Sequence, residues 1–500
     1  MDASTPLLIG DIVRRNARVV PKEIAASLGA EALSHGALDA AANRVAWGLR
    51  SLGVGVGDRI LAWADGSLEV LALFAGAAKC GAVFAPLDAR LGSDEVAPLA
   101  RLARPRLLVA DAAHHEAARA VADGLGIRAV PLGSLAGAAE PDALLALDRR
   151  SDDFAAPELR ETDPHVLFFT SGSTGRPKGV VLSHRANYLR TFHGVFRDAP
   201  ERTVCMFPLS HMAAFTLALS AWQTRGEIAL SGSATAEAIL DTAERRRATR
   251  IYGIPSIWQR ILAVDTGRWN TSSLRELDTG TSAVPLELVR ALKERFPATV
   301  TRIYYGSTEA GSAATLGDAD VLRKPGSVGP PSPGAEIRLG ADGEIQVRSA
   351  YLMDGYFDDP EATAAALRDG WFHTGDLGEL DGEGYLSIVG RVREVIRSGG
   401  ESIAPGEVEA VLARHPSVAE VAVVGIPDPQ WGEIVCAVVV PTPGAAPPAL
   451  ADLQTCCEGR LAGFKKPRRL EIVRALPRTP ATGQVQRALL VQALAARGSP

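Results

Sequence analysis

A run of hydroxyls and glycines closed by a lysine stands out in the first half of the chain. It reads Thr170-Ser171-Gly172-Ser173-Thr174-Gly175, then Arg176-Pro177-Lys178-Gly179. Glycines let successive backbone N–H groups turn toward one anion, the hydroxyls add donors, and Lys178 adds a charge. That is chemistry for holding phosphate. The spacing departs from G-x-x-x-x-G-K-[ST], which excludes a P-loop NTPase. The apolar strand before the loop and the lysine after it weigh against a merely flexible turn. A second group, Tyr304-Tyr305-Gly306-Ser307-Thr308-Glu309-Ala310-Gly311, sets a hydroxyl beside a carboxylate. A hard cation bridged to phosphate oxygens takes such a carboxylate. Taken alone, Ser-Thr-Glu could equally be an N-cap with an acidic first turn. A third region, 371–409, carries Asp376, Arg391, Arg393, Gly399, Gly400 and Glu401. A carboxylate suits a vicinal diol because it accepts both hydroxyl hydrogens. The last region, LPRTPATGQVQRALL at 476–490, presents the neutral amide of Gln484 just after a glycine.

The elements that must position these groups alternate between helix and strand. ALDAAANRVAWGLRSLG (38–53) spaces its apolar residues by three and four and stops at Gly53, which predicts a helix. DRILAWADGS predicts a strand running into a turn, SLEVLALFAGAAKCGAV a buried helix, and RPRLLVADA a short strand. Strands separated by helices imply parallel sheets covered on both faces, hence an α/β fold. RIYYGS, EIQVRS and YLSIVGR repeat the strand signal. A boundary is expected near 391–394, dividing a large domain, 1–392, from a small α+β domain, 393–500. Within the latter, EVEAVLARHPSVAEVAVVGIPD predicts helix, turn and strand, and CAVVVPT a further strand. GAAPPALADLQTCCEGRLA predicts a Pro-rich loop followed by a helix. No internal repeat is visible.

Composition narrows the class. Five hundred residues give a prior of about three domains, with two large ones equally acceptable. Hydrophobic content of 47% and charged content of 22% are ordinary for a globular protein. A net charge of −5 argues against nucleic acid or an anionic membrane as the main partner. No apolar run reaches the ~18 residues that span a bilayer. The N-terminus lacks the apolar core and cleavage site of a signal peptide. The five cysteines, Cys80, Cys205, Cys436, Cys456 and Cys457, are odd in number and lack zinc spacing. A reduced, cytoplasmic protein is the expectation.

Taken in order, the four regions resemble the signatures of the adenylate-forming superfamily, which includes acyl-CoA synthetases, peptide-synthetase adenylation domains and luciferases. The resemblance covers essentially the whole chain and implies a large N-terminal domain with a mobile C-terminal lid. It implies nucleotide contacts for Thr170, Ser171, Ser173, Thr174, Lys178, Ser282, Tyr305, Gly306, Ser307 and Thr308. Tyr305 would lie against adenine, Thr308 would donate to the α-phosphate, and Glu309 would help to hold Mg²⁺. Asp376 and Arg391 match ribose contacts, and Arg393 falls on the hinge. Gly399, Gly400 and Glu401 match the backbone that lines a pantetheine tunnel after the lid rotates. Trp431 matches an aromatic beside that path. In FKKPRR, Phe464 would stack on the CoA adenine while Lys466 and Arg468 meet its phosphates. A solvated basic turn is the plainer alternative for that strip. His211 matches the junction of acyl pocket and thiol tunnel, with Phe215, Gly280, Gly306 and Gly311 in the acyl pocket. Small residues in this set imply a roomy cavity for a bulky acid. No lone Arg or Lys is placed to meet a second carboxylate.

One position departs from the pattern. Where the family carries a lysine that bridges substrate carboxylate and α-phosphate during adenylation, this chain has Gln484, with one extra residue between Leu476 and it. A glutamine donates hydrogen bonds but carries no charge. Loss of a preorganised donor costs on the order of 10²–10³ in rate. Thioester formation starts from an activated acyl-adenylate and a strongly nucleophilic thiolate, so it does not need that lysine. The expected reaction is therefore transfer of a preformed acyl-adenylate to CoA with release of AMP, the adenylate coming from a separate enzyme. Family members whose two half-reactions are split in this way occur in natural-product pathways. Three alternatives stand beside it. A complete ATP-dependent synthetase would recruit Lys465, Lys466 or Arg487; an enzyme could load a carrier protein instead of CoA; a pseudoenzyme would only bind nucleotide.

Overall fold

The computed structural model describes residues 6–135, 141–148, 150–170, 177–192, 199–398, 401–428, 430–458, 460–479 and 483–497. Chain contacts divide it into two compact units. The first comprises 1–325, 332–336 and 348–372; the second comprises 326–331, 337–347 and 373–500. The boundary expected at 392/393 thus falls inside the second unit.

The first unit is built on two sheets. The eight-stranded one runs, edge to edge, Gly311–Leu316, Val300–Ser307, Glu276–Gly280, Arg250–Tyr252, Arg202–Cys205, Glu227–Leu230, Ile24–Leu28, Glu31–Ser34. Its interior pairs are parallel, as the alternation of helix and strand predicts, and only the outermost pair at each edge is antiparallel. The seven-stranded one runs Gly355–Tyr356, Lys178–Ser183, Pro164–Thr170, Val83–Leu87, Arg59–Trp63, Leu107–Ala110, Arg128–Pro131.

Helix Leu68–Cys80 is apolar on every side and is buried on every side except at Glu69. Ser67 caps its start by accepting from the Val70 N–H, and Gly81, at φ 78°, ends it in the left-handed region. Its one buried charge, Lys79, is satisfied by Asp39 at 2.6 Å and by Asn43 Oδ1 at 2.6 Å on helix His35–Ser51. Burial lowers the Lys79 pKa. Trp222, fully buried, donates its indole N–H to the Ala25 carbonyl at 2.9 Å.

The second unit is mainly antiparallel, which the strand signals alone did not distinguish from parallel pairing. Trp371–Leu380 pairs with Leu386–Arg391 through a tight turn, placing Asp376 directly opposite Arg391. Beyond it, Val418–Asp428 and Gly432–Pro441 form a long hairpin, with Arg469–Ile472 parallel to the second strand. Helix Pro405–Leu412 covers one face, where Val408 and Leu412 pack against Val423, Val435 and Ala437. Helix Arg487–Arg497 contributes Leu490 and Leu494 to a separate cluster with Ala422, Val424, Cys436 and Val438. All five cysteines are free. Among the described residues no helix is long and apolar enough to cross a membrane.

Candidate active site

The phosphate-type loop joins two antiparallel strands, Pro164–Thr170 and Lys178–Ser183, and Thr170 pairs directly with Lys178. Ser171, Ser173 and Thr174 lie outside the described residues. The Lys178 ammonium sits 4.2 Å from the centroid of the Tyr356 ring, a cation–π contact. Tyr356 is held there because Gly355–Tyr356 adds to the sheet edge, with Tyr356 opposite Val180. Its hydroxyl donates to Glu309 Oε1 at 3.2 Å. Lys178, Tyr356 and Glu309 thus form one continuous chain of contacts. Tyr356 carried no sequence signal, since its contact with Glu309 spans 47 positions.

Glu309 lies in the turn between strands Val300–Ser307 and Gly311–Leu316. Met353 N–H donates to the Glu309 carbonyl at 2.7 Å, and Ala310 N–H donates to Ser307 Oγ at 3.1 Å. Gly306 is required here: a Cβ on it would stand 1.9 Å from the Gly311 carbonyl oxygen. Tyr305 lies opposite Ala314 and is half-buried. Arg190, 5% exposed, reaches this turn from helix His184–Thr191 and donates Nη1 to the Thr308 carbonyl at 2.9 Å. The sequence reading missed Arg190, and with it a cation close to the expected pocket. Its Nε lies 3.5 Å from where a Cβ on Gly311 would be.

On the acyl side, Gly280 ends its strand where a Cβ would come within 2.3 Å of the Tyr304 carbonyl. Thr281 follows at φ 66°, a costly conformation for a β-branched residue, and Ser282 is exposed. Rings step across this region: His211 to Phe207 at 6.1 Å, Phe207 to Tyr252 at 5.8 Å, and Tyr252 to Tyr304 at 6.0 Å. Below them Arg250 pairs with Glu201 at 2.8 Å and with Asp278, while Arg302 meets Glu276 at 3.1 Å and donates to the Tyr304 hydroxyl at 3.3 Å. Burial raises the Tyr304 pKa and keeps the phenol neutral.

His211 caps helix Met212–Gln223, its Nδ1 accepting the Ala213 N–H at 3.2 Å. Burial lowers its pKa, with Asp88 opposing, so the ring is neutral and its proton sits on Nε2. It can donate from Nε2 but cannot take a proton there. Phe215 was expected in the acyl pocket. One turn further along the same helix, it is 2% exposed and packs on Phe74 at 4.6 Å, Phe84 at 5.3 Å and Phe168 at 6.0 Å.

In the second unit, Arg391 Nε lies 3.1 Å from Asp376 Oδ1, so the two residues expected at ribose are neighbours. The turn before Asp376 is braced by Glu344, a residue the sequence did not flag, which takes the Gly375 N–H at 3.0 Å and His373 Nδ1 at 2.7 Å. Gly399, Gly400 and the Arg393 side chain lie outside the described residues. Glu401 is exposed and pairs with Ser398. Arg468 stacks on Trp431, 3.9 Å from the ring centroid, which joins two of the expected CoA contacts. Phe464 is half-buried and packs against the core of this unit. Lys465 pairs with Glu407, and Lys466 reaches Glu458 at 3.5 Å.

Gln484 is held by local backbone bonds. Arg478 bridges Val485, the Gln484 carbonyl accepts the Thr479 N–H at 2.8 Å, and the Gln484 N–H donates to Thr479 Oγ1 at 3.1 Å. Three residues further on, Arg487 donates to Glu394 at 2.9 Å and bidentately to Glu409 at 2.7 and 2.9 Å.

Comparison with known proteins bears on this arrangement. The sequence model of the family described as AMP-binding enzyme matches residues 13–357, and that of the AMP-binding enzyme C-terminal domain matches 407–482. A feruloyl-CoA synthase of Amycolatopsis sp. is 37% identical over 488 residues, covering 93% of this chain and 95% of that protein. An indoleacetate–CoA ligase of Aromatoleum aromaticum is 35% identical over 505 residues, covering 96% of each. Among solved structures, ATP-bound MatB from Rhodopseudomonas palustris superposes with a TM-score of 0.87 at 29% identity, covering 97% of this chain and 98% of that one.

Proposed function

We propose that this chain, which belongs to the AMP-binding enzyme family and to its acyl-CoA ligase branch, forms a CoA thioester from a preformed acyl-adenylate and has little adenylating activity of its own. The observation that carries this reading is Gln484 together with the state of the cations around it. Arg487 is committed to Glu394 and Glu409, Lys465 to Glu407, and Lys466 to Glu458. None of the three stand-ins is available to replace the lysine without breaking an ion pair. The acyl group is proposed to be a bulky, ring-bearing carboxylic acid, in keeping with the names of the two relatives.

In this reading Lys178 and the loop before it hold phosphate, Thr308 donates to the α-phosphate, and Asp376 and Arg391 take the ribose. Glu309 offers a hard carboxylate oxygen, the donor type Mg²⁺ prefers, with one oxygen oriented by the Tyr356 hydroxyl. Mg²⁺ would supply charge neutralisation at the phosphates. The segment 393–500 serves as the lid, turning about Arg393 so that Gly399–Glu401 line the thiol path, with Trp431 and Arg468 beside it. The thiolate then attacks the acyl carbonyl, the C–S bond forms, and the acyl–phosphate C–O bond breaks with AMP leaving. His211, protonated on Nε2, steadies the acyl group as a donor; the thiol proton goes to solvent. The adenylate is supplied by a separate adenylating enzyme.

The test is a pair of half-reactions on purified protein. ATP, Mg²⁺ and candidate acids should release pyrophosphate only at background. Synthetic acyl-adenylate and CoA should give thioester and AMP. Vigorous ATP–pyrophosphate exchange would end the proposal. Failure with CoA but success with a phosphopantetheinylated carrier would redirect it.

A further inference from the structure

Arg190 is buried yet lacks a counter-ion. Nη1 donates to the Thr308 carbonyl at 2.9 Å and contacts Met212 Sδ at 3.4 Å; Nη2 donates to the Tyr351 carbonyl at 2.6 Å. Nε has no hydrogen-bond partner. Among the described residues no carboxylate lies within ion-pair distance of it; Asp354 and Glu309 act on it only from further away. Burial pushes the guanidinium down to about 10, so it stays charged at neutral pH. Taking such a charge out of water is expensive unless an anion compensates it. Arg250, the other buried arginine among the described residues, has its acids in place, Glu201 and Asp278.

The three groups Arg190 grips come from three places. Thr308 belongs to the nucleotide motif, Met212 follows His211 at the start of its helix, and Tyr351 immediately precedes the segment carrying Tyr356. From this placement we infer that Arg190 is a positioning residue whose missing counter-ion is the phosphate of the bound nucleotide, held on the far side of Thr308. The inference rests on the nucleotide site proposed above. The guanidinium raises the positive potential where AMP binds, and its fork fixes the Thr308–Glu309 turn against the His211 helix. It also adds a second fixed cation, beside Lys178, to a site that on the proposed reading has lost its mobile one.

The test compares binding of AMP and of adenosine, which lacks the phosphate, to wild type, Arg190→Met, Arg190→Gln and Arg190→Lys. In the two neutral variants AMP should weaken by about tenfold while adenosine is unmoved. Arg190→Lys should keep the wild-type preference for AMP yet lose turnover of synthetic acyl-adenylate with CoA, because the fork is gone. Arg190→Met, relieved of a buried charge, should melt no lower than wild type without ligand. Arg190→Gln carries the comparison if Arg190→Met does not fold. Equal weakening of AMP and adenosine in the neutral variants, or no weakening at all, overturns the inference. Wild-type protein that binds neither nucleotide counts instead against the proposed nucleotide site.

Discussion

Replacing Gln484 by lysine should switch on the adenylation half-reaction. The backbone at 484 is pinned on both sides: its carbonyl by Thr479 N–H at 2.8 Å, its N–H by Thr479 Oγ1 at 3.1 Å, and the next turn by Gln486 N–H to the Pro477 carbonyl at 2.8 Å. These bonds fix the origin of the 484 side chain. Charge is then the missing quantity. An ammonium about 4 Å from one anion gains roughly 4 kcal/mol at an effective dielectric of about 20, and the carboxylate and α-phosphate together offer two. Desolvation of the lysine offsets part of this, leaving a gain in the range of a single preorganised donor, on the order of 10²–10³ in rate. ATP–pyrophosphate exchange with the cognate acid measures it. Thioester formation from synthetic acyl-adenylate serves as the internal control and should change by less than about threefold. Exchange that stays at background in Gln484→Lys, with the control intact, would refute the claim that one charge separates this chain from a complete synthetase.

Tyr356→Phe removes the 3.2 Å bond to Glu309 but keeps the ring under Lys178, so AMP affinity in Mg²⁺ should drop about fivefold, the worth of ~1 kcal/mol, with Tyr356→Ala costing more. His184, fully buried, has its pKa pushed down to about 3 and packs against His165, which burial also pushes down, so the unfolded chain takes up protons that the folded one refuses. Stability is therefore full above the ordinary histidine value of about 6.5 and falls toward pH 3, at ~1.4 kcal/mol per pH unit for His184; chemical melts of wild type and His184→Gln over that window read the slope, which should be shallower in the variant. Arg487→Met breaks the pairs to Glu394 and Glu409 and should destabilise the second unit by about 3 kcal/mol in a denaturant melt. The same change should leave background pyrophosphate exchange where it was; a hundredfold fall would make Arg487 the stand-in cation after all.

Legibility in the sequence followed contact distance along the chain. The parallel core was readable because each strand and helix carries its own period, as in helix Leu68–Cys80, which is almost wholly apolar and is buried except at Glu69. Thr170 and Lys178, and likewise Asp376 and Arg391, were readable as groups because each pair is joined by a short connection that the motif spans. Tyr356, Arg190 and Glu344 were not. Each acts on its site through a contact across 29 to 118 positions, and nothing local in DGYFDD, HRANYLRT or DGEIQV announces it. The surroundings of Phe215 were not legible for a related reason. Its neighbour His211 is a helix cap at the site, but one helical turn carries the next aromatic away from the cap and into the core.

On the proposed reading, where the cations sit decides how the two half-reactions divide. In the second unit Lys465, Lys466, Arg469, Arg478 and Arg487 each face a carboxylate of the same unit. A glutamine at 484 therefore removes charge that none of these neighbours can lend without unmaking a local bond. Among the described residues of the first unit, Lys178 faces a ring and Arg190 faces carbonyls and a sulfur, so both keep their field for a ligand. On the proposed reading such fixed charges hold an adenylate that arrives already made. They cannot follow a carboxylate and a polyphosphate as these approach one another, which is the task of a cation carried on a moving arm.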